Sequence, residues 1–294
     1  MSEMVCRKRS SLFASMNTKK SRRTFLQFTT AAAAAALFSG CGRSLEKITI
    51  TGASTLVSVV REAANAVGKE RAVKFIVEGG GTARGIEDLR SGVAQAAMLA
   101  RDLSAAERRE FDYVPVALDG VGILVHADNL LSGVTKADLQ RIYRKEVTHW
   151  AQLGGGSGKI VAVAKDDGQG TTFTFRRFTS LHGAQLNADV IVKDNAFVLE
   201  AVAAQKGGIG FVSSGESLTD MASSKRPIRL VNLDGVEPSL ANIGNGTYPM
   251  RRILSLAFRK GGSHPRVNEL VAFLKSPEGA AVIRAANFIP SPEK

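Results

Sequence analysis

The chain has 294 residues, 44% of them hydrophobic and 22% charged, with a formal net charge of +12 and two cysteines. This composition excludes a disordered chain and a scaffold built on disulfides, and the length suffices for one large or two medium cores. The charge is not laid out as a basic stripe with interleaved aromatics, which argues against a nucleic-acid platform.

Residues 1–40 carry seven Lys or Arg against Glu3 alone, so about half the net charge lies there, and the remainder is a mild excess of about +6 that suits a domain meeting small anions. This stretch reads as an export leader. Arg7, Lys8, Arg9, Lys19 and Lys20 precede Ser21-Arg22-Arg23-Thr24-Phe25-Leu26, which resembles a twin-arginine signal. An alanine-rich run follows to Gly40, and from Phe25 it is too short to span a bilayer. Leu37-Phe38-Ser39-Gly40-Cys41 resembles a lipoprotein box, making Cys41 the expected lipidation site and a membrane anchor for the exported protein. Cys6 would leave with the leader, so the mature chain has no disulfide.

After the leader, short apolar runs alternate with helical patterns. Strands are expected at 47–51, 73–77, 94–99, 113–117 and 121–126, with helices at 56–67 and 83–91 and a charged helix from Ala105. Leu118-Asp119-Gly120 reads as a turn-like break between two strands, a natural hinge. Further on, helices at 135–143, 171–181, 195–205, 265–275 and 278–284 alternate with strands at 160–164, 208–212, 228–231 and 251–258. Alternation of this kind is the signature of an α/β fold with parallel or mixed sheets covered by helices.

Three strand-to-helix junctions are rich in glycine and hydroxyls: Gly52-Ala53-Ser54-Thr55, Gly79-Gly80-Gly81-Thr82 and Gly168-Gln169-Gly170-Thr171. Such a loop also caps a helix in the ordinary way. Three of them, each at the carboxyl end of a strand, suit an oxyanion, because helix N-termini offer unpaired N–H groups and hydroxyls add donors.

From Leu45 to the C-terminus the chain resembles the phosphate-binding periplasmic proteins that feed ABC transporters. Besides the three loops, the resemblance rests on Leu131-Ser132-Gly133-Val134-Thr135-Lys136 with Trp150 downstream, Gly207-Gly208-Ile209-Gly210-Phe211-Val212, and Tyr248-Pro249-Met250-Arg251-Arg252. It implies a two-lobed type II periplasmic binding fold, each lobe a mixed sheet flanked by helices. Residues 45–118 plus 247–294 would form one lobe and 119–246 the other, with two hinge crossovers.

Carried over by position, the resemblance implies that Ser54, Thr55, the amide of Leu56, Thr82, Arg101, Lys165, Gln169, Gly170 and Thr171 hold inorganic phosphate. It also implies an ABC permease partner, a monomer, and no cofactor or metal. Lys165 stands where the family usually has arginine and Gln169 where it has serine; Ala100 replaces a carboxylate or serine that could accept the proton of monohydrogen phosphate. A fork of donors becomes a point charge, and selectivity over sulfate loses a group. Asp119 or Asp102 is a candidate replacement acceptor.

Catalytic signatures are missing: there is no G-x-S-x-G, no H-E-x-x-H, and the four histidines are scattered without metal-ligand spacing. The alternatives to phosphate import are a binding protein for sulfate, molybdate, tungstate or a phosphorylated solute, and an enzyme or sensor acting on a phosphorylated ligand.

Overall fold

The computed structural model describes residues 45–69 and 73–292; the expected export leader and Cys41 lie outside the described residues. Described strands, in chain order, are β1 (Glu46–Gly52), β2 (Val73–Glu78), β3 (Ala96–Leu99), β4 (Phe111–His126), β5 (Gly133–Val134), β6 (Val161–Lys165), β7 (Val190–Val192), β8 (Gly208–Ser213), β9 (Ile228–Leu233), β10 (Arg251–Arg259) and β11 (Ile289–Pro290). Between them run α1 (Val57–Gly68), α2 (Thr82–Ser91), α3 (Glu107–Glu110), α4 (Lys136–Tyr143), α5 (Gly170–Thr179), α6 (Asn195–Ala203), α7 (Ser214–Ser223), α8 (Leu240–Asn245), α9 (Pro265–Lys275) and α10 (Pro277–Ala285).

β1 lies parallel between β2 and β3, and β10 joins β3 antiparallel. β4 then serves two sheet regions: residues 111–120 pair with β10, residues 121–125 with β8 and residues 123–126 with β9. β6 runs parallel between β8 and β7. The apolar alternation of β1 places Ile48 and Ile50 in a core with Val59 and Val60 of α1 and Leu254 and Leu256 of β10. A second core gathers Ile123 and Val125 of β4 with Tyr143, Phe175 and Phe211. Phe175 and Phe211 stack at 4.0 Å with Tyr143 edge-on to Phe175 at 5.0 Å. The Tyr143 hydroxyl donates to the Val163 carbonyl at 2.9 Å, tying this cluster to the strand that ends in Lys165.

Leu118-Asp119-Gly120 does not break the chain: β4 runs through it as one strand of 16 residues. An exposed Asp-Gly would turn the chain by bonding its own backbone. Here Asp119 is 2% exposed, and its carboxylate accepts from Arg252 and, at 3.3 Å, from the Gly215 amide. Gly120 lies so close beneath Ile243 that a Cβ there would come within 2.7 Å of its side chain. Long-range partners have overridden local turn chemistry. The charged helix expected from Ala105 is the single turn of α3.

Local signals hold elsewhere. Thr135 caps α4 reciprocally, its hydroxyl accepting from the Asp138 amide at 3.1 Å while the Asp138 carboxylate accepts from the Thr135 amide at 3.0 Å. Thr135→Ala is expected to cost about 1 kcal/mol of stability in urea unfolding.

Candidate anion site

All three glycine and hydroxyl loops stand at carboxyl ends of parallel strands. β1 leads into a 3-10 turn, Ser54–Leu56; β2 leads through Gly79–Gly81 to α2; β6 leads through 166–169 to α5. The loops also touch one another. The Gly81 amide donates to the Gly52 carbonyl at 2.9 Å, and the Ala83 amide reaches across to the Gly168 carbonyl at 3.3 Å. Gly81 has φ +93°, and a Cβ there would lie 2.7 Å from the Gly168 oxygen; a Cβ on Gly170 would lie 2.7 Å from the Ala100 Cβ. Glycine is required at both places by close approach of one loop to another.

A narrow cavity, too tight to admit a water molecule, lies among these loops, lined by Ser54, Thr55, Lys165, Gln169, Gly170 and Thr171. Two polar residues that the loops themselves do not contain, Asn195 and Arg252, complete the lining with Ala53 and Ala100. Arg252 donates from Nε (3.0 Å) and Nη2 (2.6 Å) to Asp119, and from Nη2 to the Thr55 hydroxyl at 3.2 Å. Asn195 Nδ2 donates to the same hydroxyl at 3.3 Å. With both lone pairs of Thr55 Oγ1 engaged, its own hydrogen is left to donate elsewhere.

Several buried side-chain atoms among the described residues lack a hydrogen-bond partner, Thr51 Oγ1, Asn129 Nδ2 and Ser214 Oγ among them; two others, Arg252 Nη1 and Thr171 Oγ1, belong to residues that line the cavity. Native interiors rarely tolerate such atoms, since each unpaired donor costs about 1–3 kcal/mol. The first-turn amides of α5, at Gly170 and Thr171, add donors that helix geometry leaves without intrahelical partners.

The other residues expected at the site stand differently. The Leu56 amide donates to the Ala53 carbonyl at 3.1 Å, closing the 3-10 turn. Thr82 is buried beside the cavity, its hydroxyl accepting from the Ala100 amide at 3.0 Å. The structure does not bring Arg101 to the cavity. Its guanidinium forks onto Glu107 at 2.8 and 2.9 Å, holding that carboxyl down at about 2, and it lines an open cleft of about 1150 Å³ that shares Arg252 with the cavity. Asp119 meets the site through Arg252, and Asp102 sits in the outer cleft near Arg177 at 3.7 Å.

Lys165 is 3% exposed, and its ammonium donates to Asn195 Oδ1. Burial, and after it the neighbouring Arg252 guanidinium, push the Lys165 pKa down to about 7 against the pull of Glu216, Asp119 and Asp194. Burial raises the Glu216 carboxyl above the usual carboxylate range, with Lys165 drawing it back. The arrangement is a dry cage of donors, suited to an anion stripped of water.

Arg252, Asn195 and Glu216 are the polar groups that reading the loops missed. Arg252 had a signal: in a strand adjacent side chains face opposite ways, so one of Arg251 and Arg252 had to point inward at the start of β10.

Residues 29–283 match the family model described as the PBP superfamily domain. The chain belongs to that family. It is 26% identical over 250 residues to the phosphate-binding protein PstS of Bacillus subtilis, covering 83% of this chain and 80% of the relative. Identity to PstS of Borreliella burgdorferi is 22% over 256 residues, with 83% and 90% covered. Among solved structures, a Clostridium perfringens chain crystallised with bound phosphate superposes with TM-score 0.77 at 23% identity, covering 84% of this chain and all of that one. An ABC-type phosphate transport receptor from Vibrio cholerae superposes with TM-score 0.68 at 25% identity, covering 83% of this chain and all of that one. The fold of this family member is the type II periplasmic binding fold.

Proposed function

We propose that the chain is the solute-binding component of an ABC-type phosphate import system, holding inorganic phosphate in the cavity among the three loops. The observation that carries this reading is the pair of buried donors without partners, Arg252 Nη1 and Thr171 Oγ1, on the wall of a cavity at the N-terminus of α5. An oxyanion satisfies both at once, together with the Thr55 hydroxyl and the first amides of α5. The names of the relatives agree with phosphate.

In this reading residues 45–118 with 247–294 and residues 119–246 act as lobes that close on the anion, with the unbroken β4 as one of the strands between them. The protein is exported, held at a membrane by lipid on Cys41, and passes its ligand as a monomer to a membrane permease. No chemistry is done on the ligand. The cage is supplied by Thr55, Lys165, Gln169, Gly170 and Thr171 with Arg252, while Thr82 supports it from behind through Ala100.

One observation favours a second ligand. The Ala100 side chain, packed against Gly170, offers no acceptor for the proton of monohydrogen phosphate, so sulfate is the rival. Titration calorimetry with phosphate and sulfate between pH 6 and 8 decides between them. Lys165→Ala and Thr171→Val are each expected to weaken phosphate binding at least tenfold, about 1.4 kcal/mol. Unchanged affinity in both variants removes the cage, and release of phosphate from esters by the purified protein would replace binding by catalysis.

A further inference from the structure

Behind Lys165 lies a second layer of polar groups. The Asn195 amide is shared: its oxygen accepts from Lys165 Nζ, and its nitrogen donates to a Glu216 carboxylate oxygen as well as to Thr55. An amide has one accepting end and one donating end. Between an ammonium and a carboxylate it can therefore sit only one way round, as a rigid spacer. Asn195 is buried as the first residue of α6, and that helix is capped by Asp194, which frees Asn195 from capping duty. Glu216 sits in the first turn of α7 and does not line the cavity. Its other side lines an open groove of about 1120 Å³ with Ser58, Glu62, Thr219 and Asp220, so bulk solvent reaches its surroundings.

The charged groups acting on Lys165 come from four directions: Arg252 on β10, Asp119 on β4, Glu216 on α7 and Asp194 before α6. Asp119 is engaged by Arg252, and Asp194 accepts from the Phe197 amide at 3.2 Å as a helix cap. Glu216 is the carboxylate joined to Lys165 through a single residue.

We infer that Glu216 is a positioning residue for anion binding: acting through Asn195, it keeps Lys165 protonated and parked on the Asn195 oxygen, ready to turn its hydrogen bonds to an entering oxyanion. The inference rests on the anion reading above. An amine must carry its extra proton to offer an anion a positive charge and a charge-assisted hydrogen bond, and a buried amine beside a guanidinium tends to lose it. A carboxylate in the cavity would hold the proton but repel the ligand. One residue further back, it still holds the proton while its repulsion of the anion falls with distance.

The test compares Glu216→Gln with the unaltered full chain. Glutamine retains the size and an acceptor for Asn195 Nδ2 but removes the charge. Below about pH 6, where Lys165 is protonated in both proteins, the variant is expected to bind phosphate at least as tightly as the unaltered protein, because a repelling charge is gone. Between about pH 6 and 7 the variant's Lys165 has lost its proton while that of the unaltered protein still holds it, so the ratio of variant to unaltered affinity should fall there, by about tenfold in all, and level off above that window. The ratio cancels the ionisation of phosphate itself, and sulfate, whose charge is constant across this range, provides the same profile directly. In the unliganded protein, titration of the Lys165 amine followed by NMR should move down by about one pH unit in Glu216→Gln. Glu216→Asp, which restores the charge, should bring the profile back.

A pH-independent loss of affinity, a ratio that does not change with pH, or an unmoved Lys165 titration overturns the inference while leaving the anion reading intact. Failure of the unaltered protein to bind either anion overturns both.

Discussion

Arg252→Ala is expected to destabilise the protein by about 3–5 kcal/mol and to weaken phosphate binding roughly 100-fold. The two effects have different sources. Asp119 is 2% exposed and receives two hydrogen bonds from Arg252, at 3.0 and 2.6 Å. Truncating the arginine leaves that carboxylate buried with the Gly215 amide, at 3.3 Å, as a remaining donor. The loss of affinity comes from the other side of the guanidinium, where Nη1 has no partner among the described residues and Nη2 also holds the Thr55 hydroxyl. Arg252→Lys should separate the two: an ammonium keeps the charge beside Asp119 but cannot serve Asp119, Thr55 and an anion together. Urea unfolding reads the first effect and calorimetry the second. Phosphate affinity within threefold of the unaltered protein in Arg252→Ala would remove Arg252 from the site.

Gly170→Ala is the second large effect, and it should strike binding far more than folding. The added methyl would lie 2.7 Å from the Ala100 Cβ and 2.8 Å from the Ala100 carbonyl, so β3 and the start of α5 would have to move apart. Overpacking of this kind costs about 1–3 kcal/mol. Ala100, which the methyl would meet, is held in one of the two large cores, whereas Gly170 belongs to neither, so the strain is relieved by the start of α5 moving away from Ala100. Separation carries the first amides of α5 and the Thr171 hydroxyl away from Thr55 and Arg252. The expected result is a loss of phosphate affinity of roughly tenfold to 100-fold at nearly unchanged melting temperature. Small-angle scattering should show less compaction on adding phosphate. A variant that melts much earlier yet binds normally would mean that Gly170 serves folding and not the cage.

Much of the candidate site's geometry was legible from local chemistry. Gly79–Gly81 with Thr82, and Gly168 with Thr171, announce themselves because a strand end followed by small residues and a hydroxyl is a short-range pattern, and the structure brings both loops against Ser54 and Thr55. Arg101 illustrates the opposite case. Its position directly after β3 pointed to the anion, but Glu107, six residues on, offers a bidentate partner, and the guanidinium turns outward to it. Asn195 gave no signal at all: an asparagine at the start of a helix reads as a cap, and here Asp194 takes that role.

The sequence by itself determined the βα alternation, the three donor-rich loops at strand ends and the excess of positive charge, because each depends on residues within one or two turns of each other. The tertiary structure alone decided that β4 runs unbroken through Asp119-Gly120, that Arg252 faces inward, and that Asn195 joins Lys165 to Glu216. The physical reason is separation along the chain. Arg252 and Asp119 are 133 positions apart, and Asn195 and Thr55 are 140 apart. Whether a buried charge finds its partner at such a distance is settled by how the strands and helices pack, and no local pattern encodes it.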